Sequence, residues 1–289
     1  MVRRSAAVIH ERPPLEGIPH VRSAADTRDL LQAITALADS AGKAIMRIYN
    51  TEFAIEAKAD DSPLTAADRA SHDWIVAGLQ KLTPTIPVLS EESAEQIHDY
   101  SQRQPWKQFW LVDPLDGTKE FIKRNGEFTV NIALVEEHEP TMGVVAAPAL
   151  GLLYFGARGL GGWKQEGEQA PQPLRPTVPA RAQPVIVGSR SHRDTSLDGL
   201  LSRIGPHEMK PMGSSLKFCL VAEGTADLYP RFGPTSEWDT AAAQAVLESA
   251  GGQVTDVQGE PLRYNARPTL LNPNFLAFAD RARDWRRFI

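Results

Sequence analysis

The chain has 289 residues, of which 42% are hydrophobic, and its 31 lysines and arginines are outnumbered by 36 aspartates and glutamates. The net charge of −5 excludes the broad basic surface with which proteins bind a nucleic-acid polymer. A single cysteine excludes an internal disulfide framework, and the seven histidines show neither the HxH nor the HxxxH spacing of a zinc site. We therefore expect a globular protein suited to a reducing cytoplasm.

Residues 1–25 are expected to form an N-terminal extension, to which the sequence assigns no role. Its basic start is interrupted at residues 10–12 before a hydrophobic region of signal-peptide length can form. No stretch approaches the ~18 apolar residues of a membrane span, so we expect a cytoplasmic protein without a transmembrane segment. Peripheral attachment to the inner membrane and the oligomeric state stay open.

The first half of the chain, residues 26–183, begins with two predicted helices. The first follows Asp26 or Thr27 as its cap and has apolar residues at three- and four-residue steps, namely Leu30, Ile34, Leu37, Ala41, Ile45 and Ile48. The second covers TAADRASHDWIVAGLQKL, where Thr65 and Asp68 have the spacing of a capping box. Its predicted apolar face consists of Trp74, Ile75, Leu79 and Leu82.

Short β-like runs follow these helices and predict a largely antiparallel sheet: PVLS, QFWLVD, FTVNIALVEE, TMGVVAAPAL and LLYFGARG. EHEP is interpreted as a hairpin connection and GLGGW as a hairpin turn. The proline-rich stretch GEQAPQPLRPTVPARAQP is expected to cross to the second half, residues 184–289. There, PVIVGSR, ADLYPRF, QVTDV and NFLAFAD predict strands, and SSLKFCLVAEG and TAAAQAVLESAGG predict helices, so this half is α/β.

Six carboxylates are candidates for one site, because a buried charge is costly unless it is paired or bound to a metal. They come from four distant segments: Glu91 and Glu92 after PVLS, Asp113 and Asp116 around Pro114, Asp239 after Trp238, and Asp68 in the second helix. Taken singly, each also fits a helix start or a solvated turn. Together, hard oxygen ligands without histidine or thiolate favour Mg²⁺, and their number favours more than one ion.

The position of Pro114 explains why one apolar strand ends in two aspartates. It fixes the backbone between Asp113 and Asp116, so that both side chains, with the Leu115 carbonyl, are expected to face one place. Gly117 and Thr118 then begin a turn or short helix whose N–H groups can hold phosphate oxygens.

Three stretches, LSEE, WLVDPLDGTKEF and EWDTAAAQAVLESAGG, resemble the three signatures of the lithium-sensitive, Mg²⁺-dependent inositol monophosphatase superfamily. The resemblance extends from about residue 26 to the C-terminus. Within that superfamily, four stretches are most similar to bacterial 3′(2′),5′-bisphosphate nucleotidases: KADDSPLTAADRAS, GTKEFIKRNGEFTVNIALVE, GSSLKFCLVAEG and LYPRFGPTSEWDTAA.

The resemblance implies an α/β fold with alternating layers of helices and sheets and a site between the two halves. It implies two or three Mg²⁺ ions, with these metal ligands: Glu91, Asp113, the Leu115 carbonyl, Asp116 and Asp239, and Asp68 at an additional, weaker ion. Glu91 and Thr118 would orient and activate the attacking water, and Asp68 would assist as a catalytic residue. Glu92 is the less favoured ligand. The residues expected to contact substrate are Glu91, Leu115, Asp116, Gly117, Thr118, Asp239, Ser215, Lys217 and Arg231.

The expected reaction is hydrolysis of the 3′-phosphate of 3′-phosphoadenosine 5′-phosphate to give AMP and phosphate. Lys217 and Arg231 are candidates for phosphate or ribose contacts, against the alternative that both are solvated surface residues. Ser189 and His192 follow a strand end, where ligands bind in α/β sheets, although His192 fits an ordinary loop better. Cys219 is expected in the core rather than as a nucleophile.

Two other functions stay open at this point. An inositol monophosphatase or another sugar-phosphate phosphatase would use the same metal residues. A non-catalytic metal- or nucleotide-binding regulator is less favoured, because it would not need the water-orienting hydroxyl of Thr118. Hydrolysis by a serine triad is not indicated, since the chain has no GxSxG.

Overall fold

The computed structural model describes residues 23–51, 55–57, 63–93, 99–189 and 195–289. The greater part of the N-terminal extension, His192 and the side chain of Thr65 lie outside the described part. The helices are α1 Ala24–Tyr49, α2 Ala66–Leu82, α3 Tyr100–Arg103, α4 Thr118–Ile122, α5 Thr195–Ile204, α6 Leu216–Ala222 and α7 Ala241–Ser249. Single 3₁₀ turns occur at Pro148–Leu150 and Trp285–Phe288.

The strands form three sheets. Their bounds are β1 Ile55–Ala57, β2 Pro63–Thr65, β3 Val88–Ser90, β4 Gln108–Asp116, β5 Thr129–Glu136, β6 Glu139–Ala147, β7 Leu152–Ala157, β8 Gly161–Glu166, β9 Gln172–Pro173, β10 Val185–Gly188, β11 Glu208–Pro211, β12 Leu228–Arg231, β13 Gln253–Asp256 and β14 Phe275–Phe278. The large sheet runs β3 to β9 in sequence order, the small sheet has the order β11-β10-β12-β14-β13, and β1 pairs with β2.

The large sheet is antiparallel except at its edge, where β3 runs parallel to β4. Alternation along β4 separates its two faces: Trp110 packs in the core beneath α1 and α2, whereas Phe109 and Leu111 belong to the core shared with the second half. A strand covered on both faces is apolar throughout, which explains the run QFWLV. The predicted, largely antiparallel sheet with two helices on it is confirmed.

The small sheet is mixed, because β10 is parallel to both β11 and β12 whereas β14 is antiparallel to β12 and β13. Helices α6 and α7 lie between the two sheets, and α5 packs with Trp285 on the outer face of the small sheet. The order is therefore α1/α2, large sheet, α6/α7, small sheet, α5, which confirms the predicted alternating-layer α/β fold.

Two details of the predicted helices are wrong. The cap of α1 is Ser23, whose hydroxyl accepts the N–H of Asp26 at 3.1 Å while the Asp26 carboxylate accepts the N–H of Ser23 at 3.2 Å. On α2, Trp74 and Leu82 are exposed, at 53% and 43%. The buried stripe of this helix runs instead through polar residues toward the site, namely Asp68 and Ser71, besides Ala67, Ile75 and Leu79.

The predicted hairpins are confirmed. Glu137 and His138, both at positive φ, form the tight turn between β5 and β6, and residues 158–160 turn β7 into β8. Seven of the named helices and strands were not anticipated: β1, β2, α3, β8, β9, α5 and β11. Strand β9 shows that the proline-rich crossing also supplies an edge strand, the position where a proline without an N–H is tolerated. Every helix in the described part of the chain is too short or too polar to cross a bilayer.

Candidate active site

The site begins at an irregularity near the end of β4. Asp113 pairs with Asn131 of β5, but Asp116 pairs with Thr129, so three steps on β4 oppose two on β5. Pro114 lies inside this bulge, where it removes no ladder hydrogen bond. The Asp113 carboxylate accepts the Leu115 N–H at 3.0 Å, which fixes the side chain against its own bulge.

The bulge is supported from α2 and completed from the second half. Ser71 donates its hydroxyl to the Pro114 carbonyl at 2.8 Å. Asp239 lies in the turn before α7, where its carboxylate accepts the Ser236 N–H at 2.8 Å. Carboxylate oxygens of Asp113, Asp116 and Asp239 lie within 4.8 Å of one another. The structure thus brings together three of the predicted ligands from both halves of the chain.

The electrostatics of this trio point to a bound cation. Burial, and then the charges of Glu91, Asp116 and Asp239, raise the pKa of Asp113 well above its usual range. Burial, followed by Asp116 and Glu91, raises the pKa of Asp239 to about 8, although a hydrogen bond with Asp113 offsets part of the effect. Three crowded carboxylates therefore resist ionisation unless a positive charge joins them. Oxygen donors of this kind suit a hard divalent ion, so the residues present fit a metal site.

Asp116 differs from its two neighbours because it is partly compensated. Its pKa is raised to about 6 by burial, but the charge of Lys217 and the Ser215 N–H lower it. That N–H lies 2.7 Å from the Asp116 carboxylate, and the Thr129 hydroxyl lies 3.5 Å from it. The pKa of Asp116 is therefore raised less than those of Asp113 and Asp239.

The remaining predicted carboxylates lie around the trio. Glu91 occupies a one-turn 3₁₀ helix after β3, half-buried, and its charge raises the pKa values of Asp113, Asp116 and Asp239. Asp68, in the first turn of α2, is fully buried and also raises the pKa of Asp113. Both carboxylates therefore act electrostatically on the site, although their oxygens are not among the three that meet within 4.8 Å.

Gly117 and Thr118 follow the bulge directly. Gly117 has φ 92°, and a Cβ there would lie 2.3 Å from the Ser214 hydroxyl oxygen, so only glycine fits. Thr118 begins α4, with its hydroxyl 3.5 Å from the Leu115 carbonyl oxygen. The Leu115 carbonyl and the Thr118 hydroxyl thus lie together beside the acidic trio.

The residues of the second half that are predicted to contact substrate are buried or half-buried rather than solvated on the surface. Lys217 is only 7% exposed, with its ammonium 2.5 Å from the Ser214 carbonyl and 5.5 Å above the Tyr229 ring. The surface alternative is therefore wrong for Lys217. Burial lowers its pKa, and the charge of Arg231 lowers it further.

Arg231 is half-buried and ordered by its own loop. Its guanidinium donates to the Thr235 hydroxyl at 2.6 Å and to the Pro234 carbonyl at 2.8 Å. Ser215 is buried, and its hydroxyl lies 2.8 Å from Asn131 and 2.9 Å from Thr129. The part of Ser215 that addresses the site is therefore its N–H rather than its hydroxyl. Ser189 follows β10 and is half-buried, and Cys219 is a buried core residue as predicted.

Sequence reasoning missed several residues that hold the ligands in place. Thr129 and Asn131 alternate with apolar residues in FTVNIALV, and a period of two for the polar positions would have placed both on one face of β5. Ser214 has φ 50° and donates to the carbonyls of Asp116 and Glu127 at 2.9 and 2.8 Å. No local signal marks that contact, because its partners are 98 and 87 residues away.

Comparison with known proteins places this site in a family. Residues 26–284 match the model of the inositol monophosphatase family. The chain is 53% identical to the 3′(2′),5′-bisphosphate nucleotidase CysQ of Salmonella typhimurium, across 85% of this chain and 98% of that protein. It is 51% identical to CysQ of Escherichia coli K12 over the same shares. The crystal structure of CysQ from Bacteroides thetaiotaomicron has a TM-score of 0.74 and 44% identity, covering 86% of this chain and 97% of that one. The chain belongs to the inositol monophosphatase family, as its three signature stretches predicted.

Proposed function

We propose that the protein is a Mg²⁺-dependent 3′(2′),5′-bisphosphate nucleotidase that converts 3′-phosphoadenosine 5′-phosphate to AMP and phosphate. The observation that carries this proposal is the trio of Asp113, Asp116 and Asp239, which gathers negative charge from both halves of the chain. Relatives that are 51–53% identical over most of the chain and are named bisphosphate nucleotidases support the choice of substrate.

The trio, Glu91 and the Leu115 carbonyl would hold two ions, with Asp68 directed to a third and weaker one. In this view residues 26–183 and 184–289 are two halves that share the site. When bound, divalent ions supply the positive charge that a transferring phosphoryl group requires. The burial and mutual repulsion of the aspartates support this assignment, since a cation removes the cost of keeping them ionised.

The residues of the chain would then position and deprotonate the attacking water. Glu91 is the proposed base, because its carboxylate lies close enough to the trio to affect all three pKa values. Thr118 would orient the same water through its hydroxyl, which lies beside the Leu115 carbonyl. The phosphate would rest against Gly117 and Thr118, at the start of α4.

Recognition of the nucleotide falls to the second half. The charge of Arg231 lowers the pKa of Lys217, and the charge of Lys217 in turn lowers the pKa of Asp116. Two cations beside the acidic trio are suited to a substrate with two phosphates, one to be cleaved and one to be held. The Ser215 N–H, which binds the Asp116 carboxylate, would fix the start of α6 relative to the acidic trio.

A phosphate-release assay tests the proposal. With Mg²⁺ present, 3′-phosphoadenosine 5′-phosphate should be hydrolysed with a kcat/KM well above that for inositol 1-phosphate, because binding of the adenosine and 5′-phosphate aligns the 3′-phosphate. Exhaustive chelation should abolish turnover. Equal or better hydrolysis of inositol 1-phosphate would overturn the nucleotidase assignment, and undiminished turnover after chelation would overturn the metal assignment.

A further inference from the structure

The turn that carries Asp239, residues 236–240, is organised by Glu237. The Glu237 carbonyl accepts the N–H groups of Thr240 at 3.2 Å and Ala241 at 3.1 Å, and the Thr240 hydroxyl at 3.1 Å. Its own N–H donates to the Leu270 carbonyl at 2.8 Å. The backbone of Glu237 therefore joins the turn to α7 on one side and to the loop 264–272 on the other.

The side chain of Glu237 is an unusual choice for such a position. It is fully buried, and one carboxylate oxygen accepts the Asn265 N–H at 2.8 Å. The other oxygen, Oε1, is buried without a hydrogen-bond partner among the described residues. Burial raises the pKa of Glu237 to about 7, although the Asn265 N–H and the charges of Arg103 and Arg267 lower it. The buried carboxylate therefore depends on residues of the same connection for its compensation.

Asn265 passes the connection to the first half of the chain. It is fully buried at φ 53°, a conformation that asparagine tolerates better than most residues. Its side-chain amide donates to the Arg103 carbonyl at 2.6 Å and accepts from the Arg103 guanidinium at 2.5 Å. Asn265 thus contacts both partners through three groups. Its backbone N–H binds Glu237, and the oxygen and nitrogen of its side-chain amide both bind Arg103.

Arg103 joins this connection to the segment of the first half that lies between Glu91 and Asp113. It is the last residue of α3, in the segment that links Glu91, directly after β3, with β4, which bears Asp113. Although fully buried, its guanidinium also donates to the Pro268 carbonyl at 2.5 Å. A buried path of hydrogen bonds thus runs from the segment between the first-half ligands to the turn of the second-half ligand.

We propose that Glu237, Asn265 and Arg103 are positioning residues that hold Asp239 in register with Asp113 and Asp116, and thereby set the affinity of the site for divalent cations. The inference rests on the proposed role of Asp239 as a cation ligand. Groups that orient metal ligands typically change metal affinity by about 10–100-fold when they are removed. The expected signature is a weaker site in a protein that is still folded.

Binding of Mn²⁺ to the substrate-free protein, followed by electron paramagnetic resonance, tests this directly. Asn265→Gly keeps the left-handed backbone accessible but removes both bonds to Arg103, and should weaken Mn²⁺ binding by about 10-fold or more. Glu237→Gln retains an acceptor oxygen for the Asn265 N–H, so it should bind more tightly than Glu237→Ala. In turnover, a higher Mg²⁺ concentration should restore most of the kcat of these variants.

Tyr154→Phe provides the matched control, because it removes one buried hydrogen bond, to Glu223, away from the acidic trio. This variant should lower the Tm and leave Mn²⁺ affinity unchanged. Wild-type Mn²⁺ affinity in Asn265→Gly, or a loss in Tyr154→Phe equal to that in Glu237→Ala, would overturn the positioning role. If Asn265→Gly does not fold, a Mn²⁺ affinity of Glu237→Ala equal to that of the wild type, at a temperature where both are folded, would overturn it.

Failure of the proposed function gives a different result. A wild type that binds Mn²⁺ but releases no phosphate from 3′-phosphoadenosine 5′-phosphate would refute the nucleotidase, while the order of Mn²⁺ affinities among the variants would still decide the positioning role. A wild type that binds no Mn²⁺ would refute the positioning role itself.

Discussion

The two sides of the acidic trio are built in different ways. Asp113 and Asp116 lie on β4, whose backbone is held between β3 and β5 by the ladder of the large sheet. Asp239 lies on a turn outside the named strands, and its backbone is fixed by Glu237 and by contacts with the loop 264–272. The strand side therefore combines the sheet ladder with hydrogen bonds to its bulge, whereas the turn side lies outside the ladder and depends on individual hydrogen bonds alone.

This difference predicts that the two sides of the site respond differently to substitution. A bulge in β4 fixes two carboxylates within four residues of sequence, and hydrogen bonds from Ser71 and Ser214 support it in addition to the sheet ladder. A turn held by distant side chains responds to changes in each of them. We therefore expect metal binding and chemistry to be governed most rigidly from β4, and affinity and selectivity to be governed from the second half.

The largest effect should come from neutralising one carboxylate on either side. Asp113→Asn and Asp239→Asn should each lower kcat/KM by about 10³-fold, the upper scale for loss of one group that stabilises charge in a transition state. Both variants should be more stable than the wild type at pH 8 without divalent ions, because each removes a buried carboxyl group whose ionisation the folded state disfavours. Phosphate release and thermal unfolding measure the two effects. An Asn variant that keeps wild-type turnover would remove that residue from the metal site.

Thr118 should show a smaller effect that is confined to the strand side. Thr118→Ala should lower kcat by about 10²-fold, as expected for loss of a group that positions a proton transfer. Mn²⁺ binding and the Tm should stay near the wild-type values, since the hydroxyl has only a long contact, 3.5 Å, with the Leu115 carbonyl. Thr118→Ser, which retains the hydroxyl, is the matched control. A normal kcat for Thr118→Ala would leave Thr118 as a turn residue only.

Substitution of Lys217 or Arg231 should change the preference between substrates rather than the rate of the chemical step. Lys217→Met keeps the buried apolar stem and removes the charge, and Arg231→Gln removes the guanidinium. Each should weaken hydrolysis of the bisphosphate by about 1.5–3 kcal/mol, the scale of a hydrogen bond to a charged group, and largely spare a simple monophosphate. Steady-state kinetics on both substrates at fixed Mg²⁺ measure this. Equal losses on the two substrates would exclude both side chains from nucleotide recognition.

Stability should depend on pH more strongly without metal than with it. The folded-state pKa values of Asp116 and Asp239 are raised to about 6 and about 8, so the folded protein binds more protons than the unfolded chain. Without divalent ions, stability should therefore fall as the pH rises from about 4 to about 8. Saturating Mg²⁺ should cancel this fall, because cation binding favours the ionised carboxylates. Thermal melts across that range should show a Tm difference between the samples with and without Mg²⁺ that widens as the pH rises. Parallel curves would contradict the assignment.

The sequence predicted the strand side of the site better than the contacts that hold the turn side. Asp113, Pro114 and Asp116 are close enough in the chain for turn chemistry and strand pattern to predict their shared direction, and Asp239 was found from a motif. The connection through Arg103 could not be predicted, because its partner Asn265 is 162 residues away and only the folded chain brings them together. Trp74 was assigned to a buried face by its type alone, but the buried stripe of α2 follows Asp68 and Ser71. The apolar pattern is least informative where a helix faces a polar site.

The smallest effect is expected for Glu92→Gln, and it distinguishes Glu92 from Glu91, which the motif LSEE does not. Glu91 and Glu92 follow one another in a 3₁₀ turn, where successive side chains point about 120° apart, so only one of them can face the trio. The charge of Glu91 raises the pKa of Asp113, which indicates that Glu91 is the one. Glu92→Gln should then stay within about twofold of wild-type activity, as for a substitution outside the site, whereas Glu91→Gln should lose about 10²-fold. Kinetics of the two variants at saturating Mg²⁺ settle the assignment. If Glu92→Gln shows the larger loss, the base belongs to Glu92, and the strand side of the site is turned by one residue from the arrangement described.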